Sequence, residues 1–308
     1  MEFGKLPEQE LAKVNFALPP DAAANKQVLK GKPAQNMRVY TGCGKWGISE
    51  WQGKLYPPKT RKTQFLDFYV QQYNAVELNL VHYEIYPPKT IAEWAAQAGD
   101  NHFLFCPKMP RVISHEKLLV QCEQETNDCL NSYRAFGDHL GPVFLQLSEQ
   151  FTPAYRDDLF RYLEQLPRDM QFFIEVRHSG WFTQEEIRKE FTATLKQHHM
   201  GWVITDTAGK RHCAHTELTV PHAFIRFTGN SMHPTDFTRI DEWVQRIKAW
   251  QAAGLESLFF FMHMHDEAYS PELSVYLTDQ LNEVCGLQLV KPKILRPGIL
   301  SRGTPVRF

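Results

Sequence analysis

From Val39 onward, short apolar runs alternate with longer stretches in which apolar residues recur every three or four positions. The short runs are rich in β-branched and aromatic residues and predict strands at 39–42, 75–78, 102–106, 142–147, 171–176, 202–205, 223–227 and 257–262. Between them the helical period predicts helices. Phe65, Phe68, Tyr69 and Tyr73 mark one over 61–73, and Pro88 opens another over 88–98. Further helices are predicted over 121–136, over 156–166 through Leu159, Leu163 and Leu166, and over 184–198 through Ile187, Phe191 and Leu195. The last two run over 236–253, through Ile240, Trp243, Ile247 and Trp250, and over 271–284. One unit is incomplete: after Asp206 the chain reads as loop through Pro221.

Strands alternating with helices imply parallel βαβ units in an α/β protein. Eight of them predict a single (β/α)8 TIM barrel over residues 37–286. A doubly wound sheet is the alternative, but no G-x-G-x-x-G follows the first strand and no P-loop occurs, so no nucleotide-cofactor motif is present. Residues 1–36 predict an N-terminal extension, because Leu18-Pro19-Pro20-Asp21 and Gly31-Lys32-Pro33 interrupt any long element, while Phe16 and Leu18 can dock on the body. Residues 287–308 predict a basic C-terminal tail, with Lys291, Lys293, Arg296, Arg302 and Arg307 and no acid. It is either a strap on the body or an arm that touches phosphate.

Composition narrows the class. Of 308 residues, 43% are hydrophobic and 22% charged, which is a globular composition. The net charge of -1 argues against a dedicated duplex-DNA binder. Six cysteines without a C-x-x-C pair argue against a zinc ribbon. The longest apolar runs, such as Leu258 to Met262, are far shorter than the ~20 residues that span a bilayer. Residues 1–30 show no apolar core of a signal peptide. The expectation is a cytoplasmic protein with reduced thiols and no membrane partner.

Candidate chemistry gathers at the strand ends. The fifth strand closes as Glu175-Val176-Arg177-His178, and strand alternation puts Glu175 and Arg177 on one face. Two such charges are costly to bury unless paired, so the plain alternative to a functional site is a structural ion pair. In a TIM barrel the active site lies at the C-terminal strand ends. In chain order these ends present Trp46, then Glu77 and Asn79, then Lys108, Arg111 and His115, then Gln146. Glu175, Arg177 and His178 follow, then Asp206, then Arg226, and last His263 and His265. Glu77, Glu175, Arg177 and Asp206 are expected to converge in one pocket, with Lys108 and Arg226 at its wall.

The catalytic candidates are Glu77, Glu175 and Asp206, with Glu175 or Glu77 as general base. Trp46, Asn79, Lys108, Arg111, His115, Gln146, Arg177, His178, Arg226 and His263 are the ligand-binding candidates. The cationic excess suits a small anionic ligand such as a phosphate or carboxylate. Glu77, Glu175, Asp206, His263 and His265 are ligand types of a divalent metal site. No metal-motif spacing supports one, however, and cationic neighbours compete, so a metal is not favoured. Cys43, in a Gly-Cys-Gly turn, reads as a small turn residue rather than a nucleophile. Nucleic acid, with tryptophans on bases, is the weaker alternative partner.

As a set, these residues resemble the YecE-like family, a domain of unknown function. The match rests on Gly42-Cys43-Gly44-Lys45-Trp46 through Trp51 and Tyr56-Pro57, Val76-Glu77-Leu78-Asn79 with Tyr83, and Lys108 with Pro110-Arg111 and His115. It continues through Leu140-Gly141-Pro142-Val143-Phe144-Leu145-Gln146-Leu147, Glu175-Val176-Arg177-His178 with Trp181-Phe182, and Asp206-Thr207. The resemblance implies a TIM barrel but no established reaction. By analogy with xylose-isomerase and endonuclease IV barrels it implies sugar-phosphate or phosphodiester substrates. The chain departs from the family pattern at strand eight, where Met262-His263-Met264-His265-Asp266 replaces a paired Asn. Ser148-Glu149 follows Gln146-Leu147 where a Pro pair is usual, and residues 1–36 are additional.

Overall fold

A computed structural model describes residues 3–33 and 36–295. Arg296, Arg302 and Arg307 of the predicted tail lie outside the described residues. The strands are β1 (Arg38–Cys43), β2 (Ala75–Leu78), β3 (Leu104–Pro107), β4 (Val143–Gln146), β5 (Phe172–Glu175), β6 (Gly201–Trp202), β7 (Ile204–Asp206), β8 (His222–Gly229) and β9 (Ser257–Met264). All their pairings are parallel. Helices Pro88–Ala98, Glu123–Tyr133, Arg156–Gln165, Glu185–Gln197, Pro234–Ala253 and Ser270–Cys285 stand where the helical period predicts them. The helix expected over 61–73 shortens to Phe65–Tyr69. The one expected to reach 136 ends at Tyr133, and Gly137 kinks the turn that follows.

The ladders form three sheets, in the orders β1-β9-β8-β7, β2-β3 and β4-β5-β6, rather than one closed sheet. The predicted sixth strand is two short ones, because the ladder changes partner at Val203: β6 pairs with β5, and β7 pairs with β8. Side chains and single bridges join the remaining edges. Between β1 and β2, the Asn74 amide accepts from Thr41 N–H and donates to the Val39 carbonyl, both at 2.8 Å. The Tyr69 hydroxyl accepts from Cys43 N–H and donates to the Ala75 carbonyl. Between β3 and β4, Gly141 N–H donates to Phe105 O at 2.8 Å and Met109 N–H to Phe144 O at 2.9 Å. The backbone groups at these edges are therefore satisfied without a continuous ladder.

Gly42 explains how closely β1 and β2 approach. A Cβ there would lie 1.9 Å from the Ala75 carbonyl oxygen. Because that atom is backbone, Gly42→Ala must push two strands apart. It is expected to lower stability by about 1–3 kcal/mol, the scale of core overpacking, as read from urea unfolding.

Two apolar clusters sandwich the strands. The larger lies between strands and helices and includes Trp51, Trp181, Trp243 and Trp250. The smaller draws Ala75, Cys106, Phe144, Phe173, Val203, Phe224, Phe259 and Phe261 from all three sheets and their joints, with Tyr40 packed against it. Nearest the C-terminal ends, the same inward faces change from apolar to polar.

No helix follows β7; the loop to β8 holds only a short turn, Arg211–Cys213. The leading segment, residues 3–33, packs there instead. Asn25 donates to Thr216 O and accepts from Leu218 N–H, both at 2.8 Å. Pro20 O accepts from the Thr216 hydroxyl, and Asp21 accepts from Trp250 Nε1–H at 2.7 Å. Leu11 and Leu29 are buried. The expected extension thus takes the place of the missing helix against the helix Pro234–Ala253. Among the described residues no helix is long and apolar enough to cross a membrane.

Candidate functional site

Each inward-facing polar residue stands two places beyond an apolar one on its strand, as the two-residue period requires. Glu77 follows Ala75, Gln146 follows Phe144, Glu175 follows Phe173, Arg226 follows Phe224 and His263 follows Phe261. Lys108 stands just past the end of β3, two beyond Cys106. The alternation therefore brings residues from five strands to one layer.

Arg226 is the hub of this layer. Its Nε and Nη2 donate to the two oxygens of Glu77, both at 2.7 Å, and its Nη1 donates to Glu175 Oε2 at 2.6 Å. Arg177 Nε donates to the other Glu175 oxygen at 2.7 Å. His263 Nε2 lies 3.0 Å from Glu77 Oε2, and the Asn79 amide donates to Glu77 Oε1 at 2.8 Å. A Cβ on Gly44 would lie 2.4 Å from the His263 ring, so only glycine lets β1 end this close. Glu77 and Glu175 are 0% and 1% exposed, so each carboxylate depends on these donors.

The electrostatics separate fixed charges from titrating groups. Burial by itself raises both carboxyls, but Arg226 with His263 at Glu77, and Arg177 with Arg226 at Glu175, outweigh it and hold both below the usual range. Lys108 behaves differently. Its Nζ donates to the Gln146 amide oxygen at 2.8 Å, and among the described residues no carboxylate stands within ion-pair distance of it. Burial, then Arg226 and Arg177, bring the amine down to about 7. The His115 ring, 5.1 Å from that of His82, is pushed down to about 4 by burial, Lys108 and Arg111.

Of the expected convergence, Glu77, Glu175, Arg177, Arg226, Asn79 and His263 form one hydrogen-bonded network, with Lys108 and Gln146 paired in the same layer. Asp206 does not join it. The β7–β8 register puts Thr205 opposite Arg226, so Asp206 falls on the outer face. There it accepts from Arg239 Nη2 at 2.7 Å and Trp243 Nε1 at 2.6 Å, and Arg211 also donates to it. It is a buried anchor for the helix Pro234–Ala253 rather than part of the cluster. Trp46 packs edge-on against Trp94 and Phe105 in the outer cluster. Arg111 is exposed and pairs with Glu116. His178 accepts from Gly180 N–H and caps a local turn.

Two residues at the network have no place among the sequence candidates: Thr205, which the register with Arg226 puts on the inward face, and Phe3. The Phe3 ring lies 3.9 Å from the Arg177 guanidinium, and no local signal connects the two. Among the described residues no group of three or more His, Cys, Asp or Glu side chains is placed to hold a metal ion. Surface clefts of about 570 and 410 Å3 border the N-terminal strand ends, away from this network.

Comparison with known proteins adds kinship. The sequence model described as "Protein of unknown function DUF72" matches residues 40–294. The UPF0759 protein YecE of Escherichia coli O157:H7 and that of strain K12 are each 26% identical over 263 residues, covering 80% of this chain and 93% of theirs. Two crystal structures of a DUF72 family protein (EF0366) from Enterococcus faecalis V583 superpose with TM-scores of 0.63 and 0.60 at 17% and 18% identity. They cover 84% and 83% of this chain and 98% and 100% of theirs, and at that identity they speak to fold alone.

Proposed function

This chain belongs to the DUF72 family of unknown function, and from the charge balance at its strand ends we propose that it is an enzyme acting on a small anionic substrate, a phosphorylated sugar or nucleotide-like molecule. We read the three sheets as arcs of one (β/α)8 barrel: the apolar cluster shared by all three sheets and the side-chain joints between β1 and β2 support that reading. The charged network is then the floor of the mouth, where such barrels carry their sites.

One observation carries the reading. Every oxygen of Glu77 and Glu175 already accepts a hydrogen bond, whereas among the described residues the buried Lys108 is offered only a neutral amide. Among the described residues a protonated Lys108 has no carboxylate to pair with, and an anionic ligand supplies that partner. Arg177 and Arg226 add field of the same sign.

The roles expected of the acids change accordingly. Carboxyls held low by guanidinium groups are weak bases near neutral pH, so Glu77 and Glu175 serve as fixed charges that orient Arg226 and Arg177. Lys108, titrating at about 7, is the group suited to proton transfer, as a general acid toward an oxygen of the bound substrate. Six buried, unpaired cysteines suit a reducing compartment, and we place the protein in the cytoplasm.

Sulfate, whose charge is constant above pH 3, is the probe. Binding requires the protonated amine, so affinity should be level well below pH 7 and fall up to about tenfold per pH unit above it. Calorimetric titrations from pH 5.5 to 9 test this; binding without pH dependence would remove Lys108 from the site. Incubation with a panel of phosphorylated sugars and nucleotides, followed by mass spectrometry of the products, separates an enzyme from a module that only binds.

A further inference from the structure

Lys108 stands apart from the other charged side chains of its layer. Glu77 and Glu175 take guanidinium donors, and Arg226 donates to both. Among the described residues Lys108 Nζ has only the Gln146 amide oxygen, at 2.8 Å. Its backbone is held on both sides: the N–H donates to Leu78 O at 3.1 Å, and the carbonyl accepts from the Tyr133 hydroxyl at 2.8 Å. The residue is 7% exposed, against 0%, 1% and 2% for Glu77, Glu175 and Arg226, so of these four it keeps the most contact with solvent. Its surroundings oppose a proton on the amine. Burial, Arg226 and Arg177 act against the ammonium, while Glu175 and Glu77, which favour it, are held by those same guanidinium groups. Burial and the Lys108 charge keep His82 and His115 neutral near pH 7, so the two rings add no cation of their own.

We propose that Lys108 is a nucleophile that condenses with the carbonyl carbon of an open-chain phosphorylated sugar to form an iminium. A buried lysine beside fixed cations is the setting in which a primary amine stays free near neutral pH. The free Nζ lone pair bonds to the carbonyl carbon as the carbon–oxygen π pair moves onto oxygen. That oxygen takes one proton from the nitrogen and a second from solvent, and leaves as water. The product is a carbon–nitrogen double bond that keeps one proton and one positive charge on Nζ. The charge stands where the ammonium stood, with only Gln146 as its partner among the described residues, and the phosphate carried by the substrate balances it. An arginine in the same place could not do this chemistry, because a guanidinium keeps its protons. The need for a free carbonyl selects aldoses and ketoses over nucleotides, whose sugar is locked in its ring by the base.

The phosphate in this proposal rests on the reading of the site as an anion site; the nucleophile does not. The experiment incubates the full chain at pH 7.5 with dihydroxyacetone phosphate and sodium cyanoborohydride, whose hydride adds to the iminium carbon and leaves a stable secondary amine. Peptide mass spectrometry then maps the modified lysines. Lys108 is expected to label at least about tenfold faster than any exposed lysine, because an ordinary lysine near 10.4 holds well under ~1% free amine at that pH. Sulfate, and glycerol 3-phosphate, which has no carbonyl, should slow this label, and dihydroxyacetone without the phosphate should label more slowly. Lys108→Arg, which keeps the charge, should lose this label and retain those on the surface. Mapping in the parent needs no variant, so a variant that fails to fold leaves the test intact. Label spread evenly over surface lysines, or absent from Lys108, overturns the proposal; if sulfate still binds with the expected pH dependence, the anion reading then stands without it. Equal labelling of Lys108 by dihydroxyacetone, with no effect of sulfate, upholds the nucleophile and overturns the anion reading together with the phosphate.

Discussion

Replacing Arg226 with methionine is expected to unfold the protein or to lower its stability by at least about 3–5 kcal/mol, the cost of stranding a buried charge. This one guanidinium satisfies both oxygens of Glu77 and one of Glu175, and all three side chains lie beneath the surface. Methionine fills most of the volume but leaves two carboxylates short of their donor. In the parent these carboxyls are held low, so the stability they contribute is complete above the unfolded value of about 4.3 and is lost only as pH falls below it. Without Arg226, burial dominates and raises both carboxyls, so the variant should lose stability at a higher pH than the parent. Adding Glu77→Gln and Glu175→Gln removes the stranded charges and should restore much of the loss. Urea unfolding of the single and triple variants reads both effects. A single variant as stable as the parent would mean that the network contributes little to folding.

Lys108→Met should move stability the other way while removing the anion site. A lysine whose folded value is about 7, against an ordinary 10.5, carries its burial penalty in full below pH 7. Between those two values the unfolded chain holds a proton that the folded protein has released. The parent therefore gains stability as pH rises from about 7 to 10.5. Methionine has no proton to lose, so the variant should be more stable by about 1–4 kcal/mol at pH 6, and the gap should close toward pH 10. The freed Gln146 oxygen offsets part of this gain. Sulfate affinity should fall at least about tenfold, the scale of a charged hydrogen bond. Greater stability with lost binding is the signature of a group kept for function. A destabilised variant would instead mean that Lys108 serves the fold.

The strand ends show how far a chain can be read residue by residue. Glu77, Lys108, Gln146, Glu175, Arg177, Arg226 and His263 are legible because each is a polar residue that closes or follows an apolar strand. Asp206 closes an apolar strand in the same way and yet lies on the other face. Two neighbouring polar residues, Thr205 and Asp206, end the apolar run Trp202-Val203-Ile204, so its sequence does not say which of them faces inward. Only the register with β8, which sets Thr205 opposite Arg226, does so. Trp46, Arg111 and His178 share the right strand ends but sit on loops, whose paths the two-residue period does not constrain.

Sequence periodicity by itself determined the order of strands and helices, the missing helix after Asp206 and the charged character of the strand ends, because each is a local pattern. Tertiary structure alone decided which charges meet. Arg226 finds Glu77 across 149 residues and Glu175 across 51, and only strands brought side by side make those distances short. It also decided what replaces the missing helix and what covers Arg177. The first set of contacts joins residues 3–25 to the loop 207–218 across some 190 positions or more, the second joins Phe3 to Arg177, and no local spacing encodes either.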